Sequence, residues 1–305
     1  MRIASLLPSA TEILCALELA DQIVGVSHEC DFPAEIVGRP VLTAPKIDPR
    51  ATSAAIDAAV RQLVRDGLSV YRIEAEALRA ARPDLIVTQQ QCEVCAVSFD
   101  EVERAVRDLL DAPVPIVSLT PATLDDVLAD FTRVAAAAGV PDAGARLVAA
   151  SRERLDVIRR RVAPARSRPR VACIEWLDPL MVAGNWVPEM VALGGGTYDL
   201  VAPGAHSPAI TWAALAAAQP DVVIVMPCGF DLAQTHRELP ALVARPEWQA
   251  IPAVRNGRAY VIDGNAYVNR PGPRLIDSAE LLAGLIQPGF CANLMPANGW
   301  ERIKE

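Results

Sequence analysis

The stretch QQQCEVC, residues 89–95, ends in two thiols, Cys92 and Cys95, directly after the apolar run DLIVT. Two cysteines at that spacing grip a metal, cycle as a redox couple, or simply pack at the start of a helix, since cysteine is among the most often buried residue types. A second pair of donors, His28 and Cys30 in SHEC, follows another apolar run, QIVGV. Together His28, Cys30, Cys92 and Cys95 have the number and chemistry of a tetrahedral zinc or iron site. Inert packing of the thiols stays open, because CAVSFDEVERAVRDLL continues as a helical pattern that suits small residues. Hydrolytic chemistry is poorly provided for. No G-x-S-x-G motif is present, and the three histidines are His28, His206 and His236, the last in a polar stretch that reads as surface. LGGG at 193–196 follows a helical pattern and precedes a strand, the reverse of a phosphate-cradling loop, and reads as a helix end and turn.

Two loops so far apart in sequence meet only if a sheet brings them together. Short apolar runs alternate with helical patterns along the whole chain, which predicts an α/β fold with parallel sheet wrapped by helices. Strands are expected at 2–6, 22–26, 84–88 and 114–119, and in a second series at 170–176, 197–200, 221–226 and 259–263. ALRAARPDLIV (77–87) realigns with ALAAAQPDVVI (214–224), helix end, Pro-Asp corner and strand in one register, which argues for two similar lobes. Between them Leu147, Val148, Leu155 and Ile158 keep helical spacing. A helix of about 20 residues spans about 30 Å, long enough to join the lobes as a single strut. The expected divisions are a lobe at 1–140, a connecting helix at 141–166, and a second lobe with a C-terminal tail at 167–305. The segment 46–74 adds a further helix whose apolar face, Ile56, Val60, Leu63 and Val64, reads as an ordinary packed surface element.

Composition narrows the function. With 305 residues and 52% hydrophobic content the chain is long enough for one large or two ordinary cores. A net charge of −8 and a pI near 5.1 exclude a nucleic-acid surface, and the triplet Arg159–Arg161 lies near Glu153 and Asp156 on a solvated helix face. No run approaches the roughly 20 apolar residues of a membrane span, so membrane insertion is not expected. Pro8 and Glu12 interrupt the N-terminal apolar stretch, which fails as a signal peptide. Seven cysteines at scattered spacings fit a reducing compartment. These features predict a cytoplasmic protein, or a periplasmic or cell-surface one if the chain is a trimmed mature form.

The opening SLLPSATEILCALELADQIVGVSHECDFP resembles the start of the helical-backbone (class III) substrate-binding proteins of ABC importers, which carry cobalamin and ferric siderophores. The likeness continues through RPDLIV, the long central helix, RVACIEW, VALGGGTY, QPDVVIVMP and NRPGPRLIDSAELL, to about Leu285, and is nearest to the cobalamin-binding branch. It implies two Rossmann-like lobes with parallel sheets joined by one long α-helix, and a corrinoid or metal-chelate ligand bound without catalysis in a cleft between the lobes. A rival reading reuses the fold in a cytoplasmic metal-binding enzyme or metallochaperone built on the His/Cys group. Open parallel sheets meet ligands beyond the carboxyl ends of their strands. With the resemblance, that rule selects Pro8, Ser9, Glu29, Gln89, Glu175, Trp176, Trp186, His206, Tyr267 and Arg270 as ligand-binding residues. Positions where the family stacks aromatics on the corrin hold Glu29, Ala44, Gln89, Met181 and Ser207, leaving Trp176, Trp186 and Tyr267 to supply the flat surface. No resident cofactor is fixed beyond a cobalamin-type ligand or a transition metal, zinc or iron. The family docks on a permease through one glutamate per lobe. Glu76 fills the first position, and Ala213 stands at the second, which argues against an ABC permease partner.

Overall fold

Parallel strand pairing organises both halves of the chain. The computed structural model describes residues 1–66, 68–89, 99–110 and 113–304. These divide into two compact units, residues 1–51, 55–121 and 125–150, and residues 52–54, 122–124 and 151–305. Element order is β1 (Ile3–Ser5), α1 (Pro8–Ala16), β2 (Ile23–Val26), β3 (Thr43–Pro45), α2 (Ser53–Arg65), β4 (Tyr71–Ile73), α3 (Ala75–Ala81), β5 (Leu85–Gln89), α4 (Phe99–Leu109), β6 (Ile116–Leu119), α5 (Leu124–Ala137) and α6 (Pro141–Val162). It continues with β7 (Val171–Trp176), β8 (Met181–Val182), α7 (Val187–Leu193), α8 (Trp212–Ala217), β9 (Val222–Val225), α9 (Leu232–Val243), α10 (Pro246–Gln249), α11 (Pro252–Arg255), β10 (Ala259–Ile262), α12 (Leu275–Ile286), α13 (Pro288–Cys291) and β11 (Trp300–Arg302).

In the first unit the strands run in the order β2-β1-β5-β6, all parallel. Strands β1 and β5 are buried along their whole length, as a parallel sheet covered on both faces requires. Ala4, Leu6, Leu42, Leu78, Ile86 and Val102 form one core on this sheet. A separate antiparallel pair, β3 with β4, lies in the same unit. The second unit has the order β11-β10-β9-β7-β8, in which β10, β9 and β7 are parallel and both edge strands are antiparallel. Trp248 is 1% exposed in its core, with Val223, Val225, Leu242 and Ile251. Helix α6 opens on Pro141, whose missing N–H costs nothing at a first helical position, and runs unbroken to Val162.

The internal repeat survives at the level of single atoms. Arg82 (φ 40°) and Gln219 (φ 45°) both turn into the left-handed region after α3 and α8. A proline and an aspartate follow in each copy. The Asp84 carboxylate accepts the backbone N–H of Arg2 at 2.8 Å, and the Asp221 carboxylate that of Arg170 at 2.9 Å. Each clasp ties the corner before one strand to the start of its neighbour. Arg170 also pairs its guanidinium with Asp221 and holds that carboxyl below the usual range, whereas Arg2 turns its guanidinium to the Ala81 carbonyl at 2.7 Å.

Four strands, β3, β4, β8 and β11, are absent from the sequence expectation, and one expected strand does not form. Residues 197–200 make only an isolated bridge, Thr197 with Arg170. Further along the same side of β7, the antiparallel β8 pairs with Ile174 and Trp176 and takes the place a longer strand would need. Replacing Trp248 with Ala should cost about 3–5 kcal/mol of stability, read as a lower urea midpoint; a loss under 1 kcal/mol would show that the surrounding core collapses to fill the space.

Candidate functional site

In the first unit, three of the expected site segments follow the carboxyl ends of β1, β2 and β5. Pro8 and Ser9 form the first turn of α1, Pro8 again at the opening helical position. Ser9 is 2% exposed, and its hydroxyl has no hydrogen-bond partner among the described residues. Gln89 is the last residue of β5 and is buried.

His28, just beyond β2, is held twice by one hydroxyl. Its backbone N–H donates to Thr43 Oγ1 at 3.1 Å, and its Nδ1 lies 2.7 Å from the same oxygen. Thr43 gives its own proton to Ser27 Oγ at 3.1 Å, so it accepts from His28, and the ring proton sits on Nδ1. Nε2 is left as the lone-pair nitrogen. Burial lowers the His28 pKa from its ordinary value, which keeps the ring neutral. A neutral imidazole whose other nitrogen is tied to an oxygen is how proteins present histidine to a metal. The ring also packs on Tyr71 at a centroid distance of 5.0 Å, and the Tyr71 hydroxyl donates to Glu29 Oε1 at 2.8 Å.

Cys30 makes different contacts. Its sulfur lies 3.1 Å from Thr11 Oγ1 on α1. One helical turn further on, the Cys15 thiol is pushed up to about 12, by burial first and then by Glu35. Among the described residues no three His, Cys, Asp or Glu side chains come together at metal-holding distance. Cys92 and Cys95 lie outside the described residues. Of the expected four-ligand group only His28 and Cys30 are described, and His28 turns to Thr43 and Tyr71, Cys30 to α1.

In the second unit, β7 ends in Glu175 and Trp176. Ser207 donates its hydroxyl to Glu175 Oε2 at 2.7 Å and accepts the Gly184 N–H at 2.9 Å. Burial raises the Glu175 pKa to about 7, against the lowering effect of Ser207 and the Gly184 N–H. The segments carrying these groups are clasped backbone to backbone, Asn185 N–H to the Ala205 carbonyl at 2.6 Å and Gly204 N–H to the Asn185 carbonyl at 2.9 Å. The approach is so close that any side chain at Gly184 would collide with the Ala205 carbonyl. His206 is exposed on the same loop.

Trp176 donates its indole N–H to the Ser53 carbonyl at 3.2 Å and packs its ring on Phe230 at 5.2 Å, both within this unit. Trp186, expected among the ligand-binding residues, is only 6% exposed and donates its indole N–H to the Val268 carbonyl at 2.8 Å, which makes it a support for that turn. Tyr267 and Arg270 are half-buried in the turn after β10, with Arg270 Nη2 donating to Asn265 Oδ1 at 2.6 Å. Glu76 is exposed in the first turn of α3 and pairs with Arg79 at 2.6 Å, and Ala213 is exposed in α8. Thr43, Tyr71, Val268 and Ser278 escaped the sequence reading, since no periodicity or motif marks a residue that acts by orienting another.

A model of periplasmic binding proteins matches residues 3–266. The chain belongs to this family. It is accordingly a binding protein and not an enzyme, as its sequence resemblance implied. A curated relative, the uncharacterized ABC transporter substrate-binding lipoprotein YvrC of Bacillus subtilis strain 168, is 22% identical over 299 residues, covering 94% of this chain and 80% of its own. Among solved structures, a periplasmic heme binding protein from Pseudomonas aeruginosa superposes with a TM-score of 0.72 at 19% identity, covering 100% of this chain and 98% of that one. The periplasmic vitamin B12 binding protein BtuF of Vibrio cholerae gives 0.67 at 21% identity, covering 94% and 96%. At these identities the likeness to the solved structures establishes the fold.

Glu175 makes the stability of this periplasmic binding protein depend on pH. Its folded pKa lies above the unfolded value, so between about 4.5 and 7 the folded state binds more protons and stability falls as pH rises. Glu175→Gln should remove that component, with the melting temperature dropping less from pH 5 to pH 8 than in the wild type. Parallel melting curves for the two proteins would show that burial does not control this carboxyl.

Proposed function

We propose that this periplasmic binding protein takes a metal-centred tetrapyrrole, a corrinoid or a heme, as its ligand. The observation that carries the reading is the state of His28: neutral, its proton fixed on Nδ1 by Thr43, its Nε2 left as a donor for a metal that the ligand itself brings. A single fixed imidazole suits an ion already held by a macrocycle, which needs one or two axial donors rather than a four-residue cage. Within the second unit, Tyr267 and Arg270 are an aromatic ring and a guanidinium of the kind that recognises a flat macrocycle and its amide or carboxylate fringe. The names of the relatives support the same class of ligand, since one is described as binding heme and another as binding vitamin B12.

The reading as a metal-binding enzyme or metallochaperone has no comparable support, given the family and the separate contacts of His28 and Cys30. Relatives described as periplasmic or as lipoproteins favour a periplasmic or cell-surface location over the cytoplasmic one. They also favour a permease partner, for which the exposed Glu76 is the docking candidate.

Titration of the purified protein with hemin, cyanocobalamin and cobinamide, followed by absorbance, tests the proposal. One of them should bind with a spectral change that reports nitrogen coordination. His28→Ala should abolish that change and weaken binding about tenfold or more, or at least about 1.4 kcal/mol, and Cys30→Ser should leave both intact. Absence of binding by all three ligands would refute the tetrapyrrole reading, and unchanged spectra in His28→Ala would refute the role of His28.

A further inference from the structure

The turn after β10 holds a conformation that its own residue resists. Val268 has φ +71° and is 1% exposed. For a β-branched side chain the left-handed region is a genuine outlier, and such strain persists only where the surroundings over-determine it. Both polar groups of this residue's backbone are taken. Its N–H donates to Ser278 Oγ on α12 at 2.8 Å, and its carbonyl accepts the Trp186 indole N–H at 2.8 Å. Ser278 is fully buried and passes its own proton to the Arg274 carbonyl at 3.0 Å, which fixes it as an acceptor toward Val268.

The strained residue immediately follows Tyr267 and stands two before Arg270. The surrounding turn is tied as well: Tyr267 N–H to the Asp263 carbonyl at 2.9 Å, Asn269 N–H to the Tyr267 carbonyl at 2.8 Å, and the Asn269 amide to the Met226 and Gly264 carbonyls at 3.1 and 2.9 Å. The Tyr267 ring is seated from the other side by Gly299, at φ +85°, where any side chain would collide with it.

We infer that Trp186 and Ser278 are positioning residues, which clamp the Val268 peptide in its left-handed conformation and thereby set Tyr267 and Arg270 for the ligand. The inference rests on the tetrapyrrole reading for the identity of that ligand, and on the geometry of the second unit for everything else. Relaxation of Val268 to an extended conformation would reverse the direction of the chain between the two contact residues and lift Tyr267 off Gly299. The clamp thus fixes where an aromatic face and a guanidinium stand before any ligand arrives, which spares the ordering cost on binding.

Fluorine NMR of the unliganded protein labelled with 3-fluorotyrosine tests the clamp directly. The chain has four tyrosines, Tyr71, Tyr198, Tyr260 and Tyr267, so Tyr267→Phe identifies the relevant signal. Ser278→Ala and Trp186→Phe should each shift or broaden the Tyr267 resonance and leave Tyr71 in place, and Ser278→Thr, which keeps the hydroxyl, should restore it. An unmoved Tyr267 signal in both variants overturns the inference, whether or not a ligand is known. With hemin or cobinamide as the probe, Ser278→Ala should weaken binding several-fold in the wild-type background and have no effect in a Tyr267→Ala/Arg270→Ala background. A full additive loss in that background means that Ser278 acts elsewhere and likewise overturns the inference. Failure of the wild type to bind either probe counts against the tetrapyrrole reading alone, and the fluorine spectra still decide the clamp.

Discussion

A parallel strand pair cannot be closed by a hairpin; the chain must travel back outside the sheet before it can add the next strand. That restriction governs most of what both units of this protein do. It forces a helix or long loop after β1 and β9, and it delivers the segments that begin at Leu6 and Met226 to the carboxyl edges of their sheets. The residues with the most distinctive environments, His28 and Glu175, both sit where a strand ends. The strands of each sheet are mostly Val, Ile, Leu and Ala.

Burial at those edges acts on charge in a consistent direction. His28 is driven toward its neutral form and Glu175 toward its protonated one, in each case because water is replaced by protein faster than a compensating partner is supplied. The hydroxyls of Thr43 and Ser207 then do similar work in the two units. Each is an uncharged group that holds an ionisable one by a hydrogen bond, fixing its orientation without supplying the opposite charge that would bring its ionisation back.

The periodic part of the structure was legible in the sequence. Seven of the eight expected strands form, and the Pro-Asp corners that aligned the two halves prove to be the same carboxylate-to-backbone clasp at Asp84 and Asp221. What the sequence concealed has two physical origins. Strands of two or three residues, such as β3 ending in Pro45 or β8, are too short to show an alternation, and their existence depends on which partner edge is open. Depth is the other. Trp186 and Trp176 look alike in sequence, yet one indole is buried beneath a turn and the other is only partly covered, a difference set by α12 and the 263–270 segment rather than by neighbours in the chain. Val268 carries no mark at all, because its left-handed backbone is imposed from outside by two residues distant in sequence.

The C-terminal strand β11 closes the exposed side of β10 with an antiparallel partner, Trp300 set edge-on to Tyr260 and Arg302 over the same ring. Without it, β10 would offer a row of unsatisfied N–H and C=O groups along a strand of Ala, Tyr, Val and Ile, an adhesive border for the same strand of another molecule. Those last residues, which lie beyond the stretch matched to the family, are a selvedge for the second sheet, binding off a border that would otherwise be left raw.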